Sequence, residues 1–461
     1  MSNTITTTHP YYRAYNGSWV DCRNAFLGQQ AVKDAGVRYL PALSGQTPAE
    51  YDAYKMRALF YSITGKTVSA LVGMALDQTP ELKYPDKMAP YFEDHAGTQF
   101  YEALSMTVQE LLLMGRFGIL VDRPAGGGKP YFTLYSTEHI TNWRTSDAGD
   151  LEMVVLREYY LEQDESDNLL IEVRTRYRKL ELVGGKLVIT VYKTAGGVTD
   201  YAASPSTTIT NTGVDMDYIP FFCATPMGLN INPEKPPMQD IVDINFSHYR
   251  TSADLEHGRH FTGLPTPYVV GAESQSKMFI GSTSAWVIPD ASAKVGFLEF
   301  TGQGLQSLEK ALAEKQSQLA SMSARMIDNS TRGSEAAETV RLRYLSETSS
   351  LRSIVRSAQG LLNAAYGCMA DMEGLDKTSV NIVLNTNFLD TKLSAAEIKA
   401  WVEAYLSGAI SKEIYLHNLK VGRALPPPGE DVGTIPDPPK IVNPNEKPEP
   451  APRPSPAPTS E

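Results

Sequence analysis

The segment from Pro237 to Gly374 restricts the fold of this chain most, because it combines three helical patterns with a short β-rich insert. A helix is predicted from Met238 to about Phe261. Leu264-Pro-Thr-Pro267 ends it, since proline disfavours helical geometry in the residue before it and lacks an amide donor. Three strand-like pieces follow, at Tyr268–Val270, Ala285–Ile288 and Gly296–Phe300.

A second helix is predicted from about Gly304 to Asp328. Its apolar positions alternate steps of three and four, which is typical of a narrow seam packed on one neighbouring helix, and Lys315 interrupts the seam once. The seam positions are Leu305, Leu308, Leu312, Lys315, Leu319, Met322 and Met326. The polar segment Asn329–Glu335 is predicted to be a loop. A long helix is predicted from about Ala336 to Met372, and its apolar stripe contains Val340, Tyr344, Leu351, Val355, Leu362 and Met369.

The first 230 residues are predicted to be mixed α/β. One helix is predicted from Ala49 to Met74, capped by Thr47 and with Pro48 in its first turn. A second is predicted from Gln99 to Met114, followed by a strand at Phe117–Val121. Antiparallel strands with alternating polarity are predicted at Met153–Glu158, Leu169–Arg174, Leu187–Tyr192 and Ile219–Ala224, with a hairpin turn at Gly184-Gly185.

The C-terminal part changes composition sharply. A strand and loop are predicted over residues 378–390, followed by helices at Ser394–Leu406 and Lys412–Asn418, the first with a capping-box pattern of Ser394 and Glu397. Thirteen of the 30 prolines fall between Pro426 and Pro458. Such a segment buries too little apolar surface to offset the entropy of ordering, so an extended or disordered tail is predicted.

The charge balance argues against tight binding to DNA. The chain has 461 residues, 42 basic and 53 acidic ones, and a formal net charge of −11. Proteins that grip DNA neutralise its phosphates with clustered lysine and arginine. An acidic protein is compatible with a conduit through which DNA slides, because strong attraction would stall the sliding.

Targeting and cysteine patterns predict a cytosolic chain without a membrane span. No stretch approaches the ~20 consecutive apolar residues that cross a bilayer, and residues 1–10 lack the apolar core of a signal peptide. The three cysteines, Cys22, Cys223 and Cys368, are far apart and odd in number. We therefore expect buried reduced thiols, and neither a disulfide framework nor a zinc site.

Two glycine-containing segments are weak candidates for phosphate binding. Phe60–Thr67 ends in Thr-Gly-Lys-Thr, but Phe60 stands where the phosphate loop needs its first glycine, and the segment lies inside a helix pattern. Gly126-Gly-Gly-Lys129 is followed by Pro130 and not by a helix start. An ordinary helix and a flexible loop, respectively, are the better interpretations.

His257 and His260 are the strongest candidates for metal binding. Their spacing of three places both on one helix face, close in sequence to Asp254 and Glu256. A third histidine or cysteine at ligand spacing is missing, so polar side chains near a helix C-terminus are the better interpretation. Serine-nucleophile and Cys/His motifs are absent from the sequence, and we expect neither an enzyme nor a cofactor.

The order of elements resembles that of the portal proteins of tailed bacteriophages, in which an α/β wing precedes a stem helix, a small clip, a second stem helix, a tunnel loop, a long wing helix and a helical crown. Short segments along most of the chain are also similar to one subgroup of that family. They are Tyr51–Tyr61 with Thr64–Thr67, Val121–Pro124, Ile140–Trp143, His248–Asp254, Leu264–Pro267 and Glu338–Arg341.

The resemblance implies an α+β portal fold. It places the wing at 1–236, stem helix 1 at 237–263, the clip at 264–303, stem helix 2 at 304–328, the tunnel loop at 329–337, the long wing helix at 338–374, the remaining wing and crown at 375–424 and a proline-rich tail at 425–461. It implies a tunnel loop that faces DNA and a clip that contacts terminase or adaptor proteins. The implied loop residues are Asn329, Ser330, Thr331, Arg332, Gly333 and Ser334, and the clip residues are Lys277, Met278, Phe279 and Trp286.

The resemblance further implies a ring of about twelve subunits at one capsid vertex of the virion, assembled in the host cytoplasm. Its partners would be the terminase large subunit, head–tail connector proteins, major capsid and scaffolding proteins, and double-stranded DNA passing without sequence specificity. Two alternatives stay open. One is another virion structural protein, such as a head–tail adaptor or minor capsid protein, and the other is a motor or nuclease of the packaging machinery.

Overall fold

A computed structural model of the chain describes residues 4–93, 100–124, 128–163, 169, 171–194, 201–211, 214–263, 266–270, 292–298, 303–327, 349–388, 395–407 and 409–421. These residues mix helices and strands, as the predicted α+β class requires. They divide into a large unit, Met1–Phe388, and a small one, Leu389–Glu461.

Helices dominate the first hundred residues. They are α1 (Pro10–Leu27), α2 (Gln29–Asp34), α3 (Pro48–Arg57), α4 (Ile63–Ala75), α5 (Pro90–Glu93) and α6 (Phe100–Met114), with a short strand β1 (Glu81–Lys83) before α5. The predicted cap of α3 is confirmed: Thr47 accepts from the Glu50 amide, and the Glu50 side chain accepts from the Thr47 amide.

The single helix predicted from Ala49 to Met74 is wrong, because the chain leaves the helical conformation at Ala58 (φ −59°, ψ 136°). Two distant amide side chains hold the break between α3 and α4. Gln29 Oε1 accepts from the Phe60 amide at 3.2 Å. Asn245, which is fully buried, donates to the Tyr61 carbonyl at 2.8 Å and accepts from the Thr64 hydroxyl at 3.0 Å and its amide at 3.4 Å.

Strands fill the region from residue 117 to residue 229. They are β2 (Phe117–Asp122), β3 (Tyr131–Ser136), β4 (Ile140–Thr145), β5 (Leu151–Gln163), β6 (Ile171–Val183), β7 (Lys186–Thr194), β8 (Tyr201–Ala203), β9 (Thr210–Asn211), β10 (Val214–Asp215), β11 (Phe221–Thr225) and β12 (Gly228–Leu229). The predicted strands at 153–158, 187–192 and 219–224 fall on β5, β7 and β11. The predicted turn is confirmed, since Gly184 and Gly185 both have positive φ (59° and 77°).

In the described residues these strands form two larger antiparallel sheets. One has the order β12-β11-β2-β3 and the other β4-β5-β6-β7-β8, while β9 and β10 pair separately. Gly118 in β2 is required by close packing, because a Cβ there would lie 2.3 Å from the Phe221 ring. All six residues of β2 are buried, so this inner strand of the first sheet lies in the core.

A network of charged and phenolic groups joins the two sheets. Arg178 of β6 pairs with Asp122 of β2 (Nη1–Oδ2 2.5 Å) and with Glu158 of β5 (Nε–Oε1 2.9 Å). Tyr135 of β3 donates to Glu158 Oε1 at 2.5 Å. Burial opposes ionisation of Glu158, but the arginines and Tyr135 hold its pKa below the ordinary value.

Arg116, between α6 and β2, is fully buried without a carboxylate partner in the described residues. Its guanidinium donates to the Thr137 hydroxyl and to the carbonyls of Thr137, Ile140 and Ile231, at 2.8–3.0 Å. It also lies 5.0 Å from the Trp19 ring centroid and 4.6 Å from that of Trp143. Burial lowers the pKa of Arg116 to about 10, which leaves it charged at neutral pH.

The second half of the large unit contains its longest helices. The helices are α7 (Gln239–Gly263), α8 (Gln303–Ile327) and α9 (Ser349–Met372). Strands β13 (Thr266–Val270) and β14 (Lys294–Leu298) lie between α7 and α8 in the chain, and β15 (Asn381–Val383) follows α9. The apolar stripe predicted for the long helix is confirmed in α9, where Leu351, Val355, Leu362 and Met369 are buried. Residues 336–348 of that predicted helix lie outside the described residues.

The small unit is a helix pair. It consists of α10 (Ala395–Leu406) and α11 (Lys412–Val421), close to the helices predicted there. Tyr405, Tyr415 and Leu419 form its core, with Trp401, Val402 and Ile410 packed against them. Ser394 of the predicted capping box and the proline-rich tail lie outside the described residues.

Candidate functional site: the helical hairpin

The helices α7 and α8 form an antiparallel hairpin. Residues late in α7 contact residues early in α8: a Cβ added to Gly258 would lie 2.5 Å from Leu305 Cδ2, and Arg259 Nη2 is 2.8 Å from Glu309 Oε1. Further along, His248 Nε2 lies 3.2 Å from Gln316 Nε2. Each helix has 25 residues, which at about 1.5 Å per residue gives a length of ~37 Å.

The predicted seam of α8 is the side that is withdrawn from solvent. Leu319 is fully buried and the seam positions from Leu305 to Met322 are buried or half-buried, including Lys315. The Lys315 amine donates to the Thr251 hydroxyl and to the Ser247 carbonyl at 3.3 Å. The single polar interruption in the sequence is therefore a hydrogen-bonded contact between the two helices. The side chain of Met326 lies outside the described residues.

The other side of α7 fastens the hairpin to the N-terminal helices. Tyr54 of α3 donates to Asp254 Oδ1 at 2.6 Å, and Asn245 holds the start of α4. The C-terminal half of α8 joins the same body, where Thr67 of α4 donates to the buried Ser323 at 2.9 Å. The hairpin is thus anchored along α7, from Asn245 to His260, and at the C-terminal half of α8.

The outward side of α8 is polar along its described length. Glu309, Lys310 and Glu314 carry both signs of charge there. The exposed residues are Gly304, Gln306, Ser307, Glu309, Lys310, Ala313, Glu314, Gln316, Ser317, Gln318, Ala320 and Ser321. A side with small, polar and mixed-charge residues suits contact with water or with a polar surface, and offers no cluster of cations for phosphates.

A two-stranded ribbon lies at the end of the hairpin where α7 stops and α8 begins. Strands β13 and β14 pair in antiparallel register from Thr266↔Leu298 to Val270↔Lys294. Tyr268 covers Gly296, where a Cβ would lie 2.9 Å from the tyrosine oxygen. The strand predicted at 268–270 and residues 296–298 of the one predicted at 296–300 are observed. Residues 299–300 and the strand predicted at 285–288 lie outside the described residues.

The predicted loop and clip residues are not among the described ones. Asn329, Ser330, Thr331, Arg332, Gly333 and Ser334 belong to the segment between α8 and α9, and Lys277, Met278, Phe279 and Trp286 belong to the segment between β13 and β14. Their roles stay predictions.

The histidine pair predicted as a weak metal site has other partners. His257 packs edge-on against Tyr54 and Phe261, and His260 Nε2 lies 3.1 Å from Arg57 Nη2. The pKa of His257 is lowered by burial and by Arg57. In the described residues, no group of three or more acidic, histidine or cysteine side chains is placed to hold a metal.

The phosphate-loop resemblance at 60–67 is the start of a packed helix. Thr64 and Thr67 are buried and hydrogen-bonded to Asn245 and Ser323. A Cβ at Gly65 would lie 3.1 Å from the Phe26 carbonyl, which leaves no room for a phosphate. Of the other glycine segment, residues 125–127 lie outside the described ranges. None of the described helices combines the length and the apolarity that crossing a membrane requires.

Sequence reasoning missed the polar residues of α7 that contact the neighbouring helices. Asn245, His248 and Thr251 recur at steps of three on α7, and each faces a neighbouring element. These three residues form a polar stripe at helical spacing, which is visible in the sequence. The residues that they contact lie far away in the sequence.

Comparisons with known proteins place similarity in the same segment. A family model described as a domain of unknown function, DUF4055, matches residues 237–372, which contain α7, the ribbon, α8 and α9. No curated protein matches the chain.

Solved structures of gene transfer agent particles show a distant similarity. A chain in the virion of a native particle is 11% identical over 87% of this chain and 99% of that one, with a TM-score of 0.39. A chain in the neck of an empty particle, computed with C6 symmetry, is 12% identical over 87% and 99%, with a TM-score of 0.38. One in the neck of a native particle, computed with C12 symmetry, is 12% identical over 86% and 99%, with a TM-score of 0.33. These scores are too low to establish a shared fold.

Proposed function

We propose that this chain is a subunit of a portal ring, which forms the channel for packaging and ejecting double-stranded DNA at one capsid vertex of a tailed phage. The observation that carries the proposal is the hairpin of α7 and α8, anchored to the N-terminal helices, with the ribbon between the two helices in the chain. The order of helix, ribbon and helix supports the proposal, because the sequence resemblance implies a stem helix, a clip and a second stem helix in that order.

The surface chemistry of the hairpin supports a conduit. The outward side of α8 has small and polar residues with charges of both signs, and the whole chain carries −11. Attraction between phosphates and clustered cations would hold DNA in place and make its passage strongly salt-dependent. A mixed, net acidic surface avoids that attraction.

The proposal assigns no enzymatic activity and no cofactor to the chain, so the chemistry of packaging belongs to a partner. The end of the hairpin that carries the ribbon would bind the terminase during packaging and the connector proteins afterwards. Capsid and scaffolding proteins would surround the ring during assembly of the head. These partners follow from the resemblance, and each is open to direct binding measurements.

Electron microscopy of the purified full-length protein tests the ring. We expect annular particles with a central channel, because head-to-tail contacts that close produce a ring. The resemblance implies about twelve subunits. Monomers at every salt concentration, without annular particles by negative stain, would contradict the proposal.

A head–tail adaptor or minor capsid protein is the main alternative. Antibody labelling of particles separates the candidates when empty heads without tails are compared with complete particles. A portal subunit is present at one vertex of both, since it belongs to the head from the start of assembly. A protein found only on complete particles, or at many vertices, would support the alternative.

The motor alternative has a separate test at Lys66. Its amine lies 5.5 Å from the Tyr61 ring centroid, and Lys66 belongs to the first turn of α4. We expect no ATP hydrolysis by the purified chain. ATP hydrolysis that the substitution Lys66→Ala abolishes would support the motor alternative.

A further inference from the structure

The segment before α1 is attached to an edge strand. Strand β4 is the first strand of its sheet, so it pairs only with β5 among the described strands. Two hydrogen bonds attach residues 4–9, which we call the strap, to this strand. The His9 amide donates to the Thr141 carbonyl at 3.0 Å, and Asn142 Nδ2 donates to the Thr7 carbonyl at 2.9 Å. The strap therefore supplies a partner to a strand whose free edge would otherwise be open to another chain.

His9 is the residue at which the strap, the helix and the sheet meet. It is the N-cap of α1, and its Nδ1 accepts from the Tyr11 amide at 3.2 Å. Its ring stacks on Trp143 of β4, with the ring centroids 3.9 Å apart. Trp143 is buried and is held in place by Asn232, whose Oδ1 accepts from the indole Nε1 at 2.9 Å. The contacts of this one imidazole thus fix the end of the strap.

This arrangement requires a neutral His9 ring. An imidazolium carries a proton on both nitrogens, so protonated His9 has no lone pair with which to accept from the Tyr11 amide. The N-terminus of α1 also presents unpaired amide donors and the positive end of the helix dipole, which oppose a further positive charge. The residues preferred as N-caps include asparagine, aspartate and serine, and none of them changes charge between about pH 5 and pH 8 as histidine does.

The charged groups that act on the ring strengthen this requirement. Among the described residues they are both cations: Arg116, which is fully buried 4.6 Å from the Trp143 ring centroid, and Arg13 of α1. Burial, followed by Arg116 and then Arg13, lowers the pKa of His9 from its ordinary value of 6.5. A proton on His9 would therefore place a third positive charge in this region.

The carboxylates on the neighbouring elements already have partners. Glu138, in the turn before β4, pairs with Arg23 at 2.8 Å. Glu152 of β5 pairs with Arg144 of β4 at 3.0 Å. To gain either carboxylate as a partner, an imidazolium at position 9 would have to compete with an arginine.

We propose that protonation of His9 releases the strap from β4, so that the edge of this strand is covered at neutral pH and open in mild acid. Release would free the Thr141 carbonyl and uncover Trp143, which is 3% exposed with the strap in place. A terminal segment held by few hydrogen bonds is the kind of element that opens without unfolding the core. The inference does not depend on the proposed ring, because every group that it uses belongs to one copy of the chain.

Hydrogen exchange of the full-length protein tests the release. Exchange is followed by mass spectrometry at pH 7.5 and pH 5.5, and the rates are corrected for the intrinsic effect of pH. We expect the protection of the His9 and Tyr11 amides to fall by up to about tenfold, because a free histidine with a pKa of 6.5 favours the open state by about that factor between these two pH values. The amides of β2 should stay protected, since the core does not take part.

The matched variant is His9→Asn. It keeps a side-chain oxygen that can accept from the Tyr11 amide, and it does not titrate. We expect the same protection of the strap at both pH values in this variant. An acid-induced loss as large as that of the natural protein would assign the release to another group and overturn the proposal. Equal protection of the natural protein at both pH values, or loss of protection in β2 in step with the strap, would also overturn it.

Tryptophan fluorescence gives an independent readout, because release exposes Trp143 to water. The emission of the natural protein should shift to longer wavelength between pH 7.5 and pH 5.5, and that of His9→Asn should shift less. The other tryptophans are common to both proteins, so the difference reports on the strap. Shifts of equal size in the two proteins would contradict the proposed release.

Discussion

His248 illustrates how a single residue reports on the hairpin. Its ring is 5% exposed, lies against Tyr61 and meets Gln316 across the seam. Burial, with a smaller contribution from the nearby Lys315 amine, lowers the pKa of His248 from its ordinary value of 6.5. The neutral ring is therefore the form that the folded hairpin favours.

This shift predicts loss of stability in mild acid. Below pH 6.5 the unfolded chain binds a proton at His248 more readily than the folded chain does, so the free energy of unfolding falls as the pH is lowered through 6.5. Replacement by His248→Gln removes the titrating group and keeps a polar side chain. We expect a smaller fall in the free energy of unfolding between pH 7.5 and pH 5.5 than in the natural protein, measured by chemical denaturation.

Other histidines with lowered pKa values, such as His9 and His139, contribute to the same fall and stay in the variant. The comparison therefore concerns the difference between the two proteins. An identical pH profile would show that His248 is equally protonated in the folded and unfolded chains.

Predictions for single residues succeed where the residue type alone indicates whether a side chain is buried. Cys22, Cys223 and Cys368 are buried as expected, and burial raises the pKa of the first two thiols to about 12. The placement of Arg116 between two indoles was beyond the sequence, because its partners come from four separate segments. An arginine is ordinarily expected at the surface.

At the scale of elements, the predicted and observed helices agree where the apolar spacing within the helix itself determines its bounds. The bounds of α7 and α8 differ from those predicted by one or two residues, because apolar spacing and a Pro-Thr-Pro stop are short-range signals. The break between α3 and α4 was missed because the group that stabilises it, Asn245, lies far along the chain. The apolar spacing between Ala49 and Met74 fits one continuous helix, and no neighbouring part of the sequence indicated a break.

The break yields a prediction about Asn245→Ala. The substitution removes three hydrogen bonds, to the Tyr61 carbonyl and to the Thr64 hydroxyl and amide, at a fully buried position. Buried groups left without partners cost about 1–3 kcal/mol of folding free energy. We expect the free energy of unfolding to fall by about that amount, measured by urea denaturation.

The control is Asn381→Ala, which changes an exposed asparagine of β15. It should alter the free energy of unfolding by less than about 0.5 kcal/mol, as surface changes usually do. An equally small effect at Asn245 would mean that the start of α4 does not depend on α7.

At the scale of the whole molecule, the order of elements was accessible from the sequence but their adjacency was not. Strand β2 pairs with β11 across the entire second sheet, from Phe117↔Ala224 to Leu120↔Phe221. Such pairings depend on packing between segments distant in the chain, which alternation of polarity does not encode. The assignment of wing, stem, clip and crown likewise stays a prediction.

The C-terminal limit of the large unit is set by contacts to α9. Ile382 exchanges two hydrogen bonds of 2.8 Å with the Asn363 side chain, and Gln359 accepts from the Leu384 amide at 2.9 Å. Ile382, Leu384 and Phe388 are buried. Residues 376–388 therefore complete the core, although they follow the last long helix.

Two truncations separate this core segment from the small unit, whose own apolar cluster is internal. A chain ending at Phe388 should keep the free energy of unfolding of the large unit within about 0.5 kcal/mol, since its buried contacts are retained. A chain ending at Leu375 loses β15 with its hydrogen bonds and four buried apolar side chains, Val380, Ile382, Leu384 and Phe388, so it should lose at least about 3 kcal/mol. Thermal and urea unfolding of both chains, followed by tryptophan fluorescence from Trp19 and Trp143, measure the difference. Equal stability of the two chains would place residues 376–388 outside the cooperative core, whereas collapse of both would tie the large unit to residues beyond Phe388.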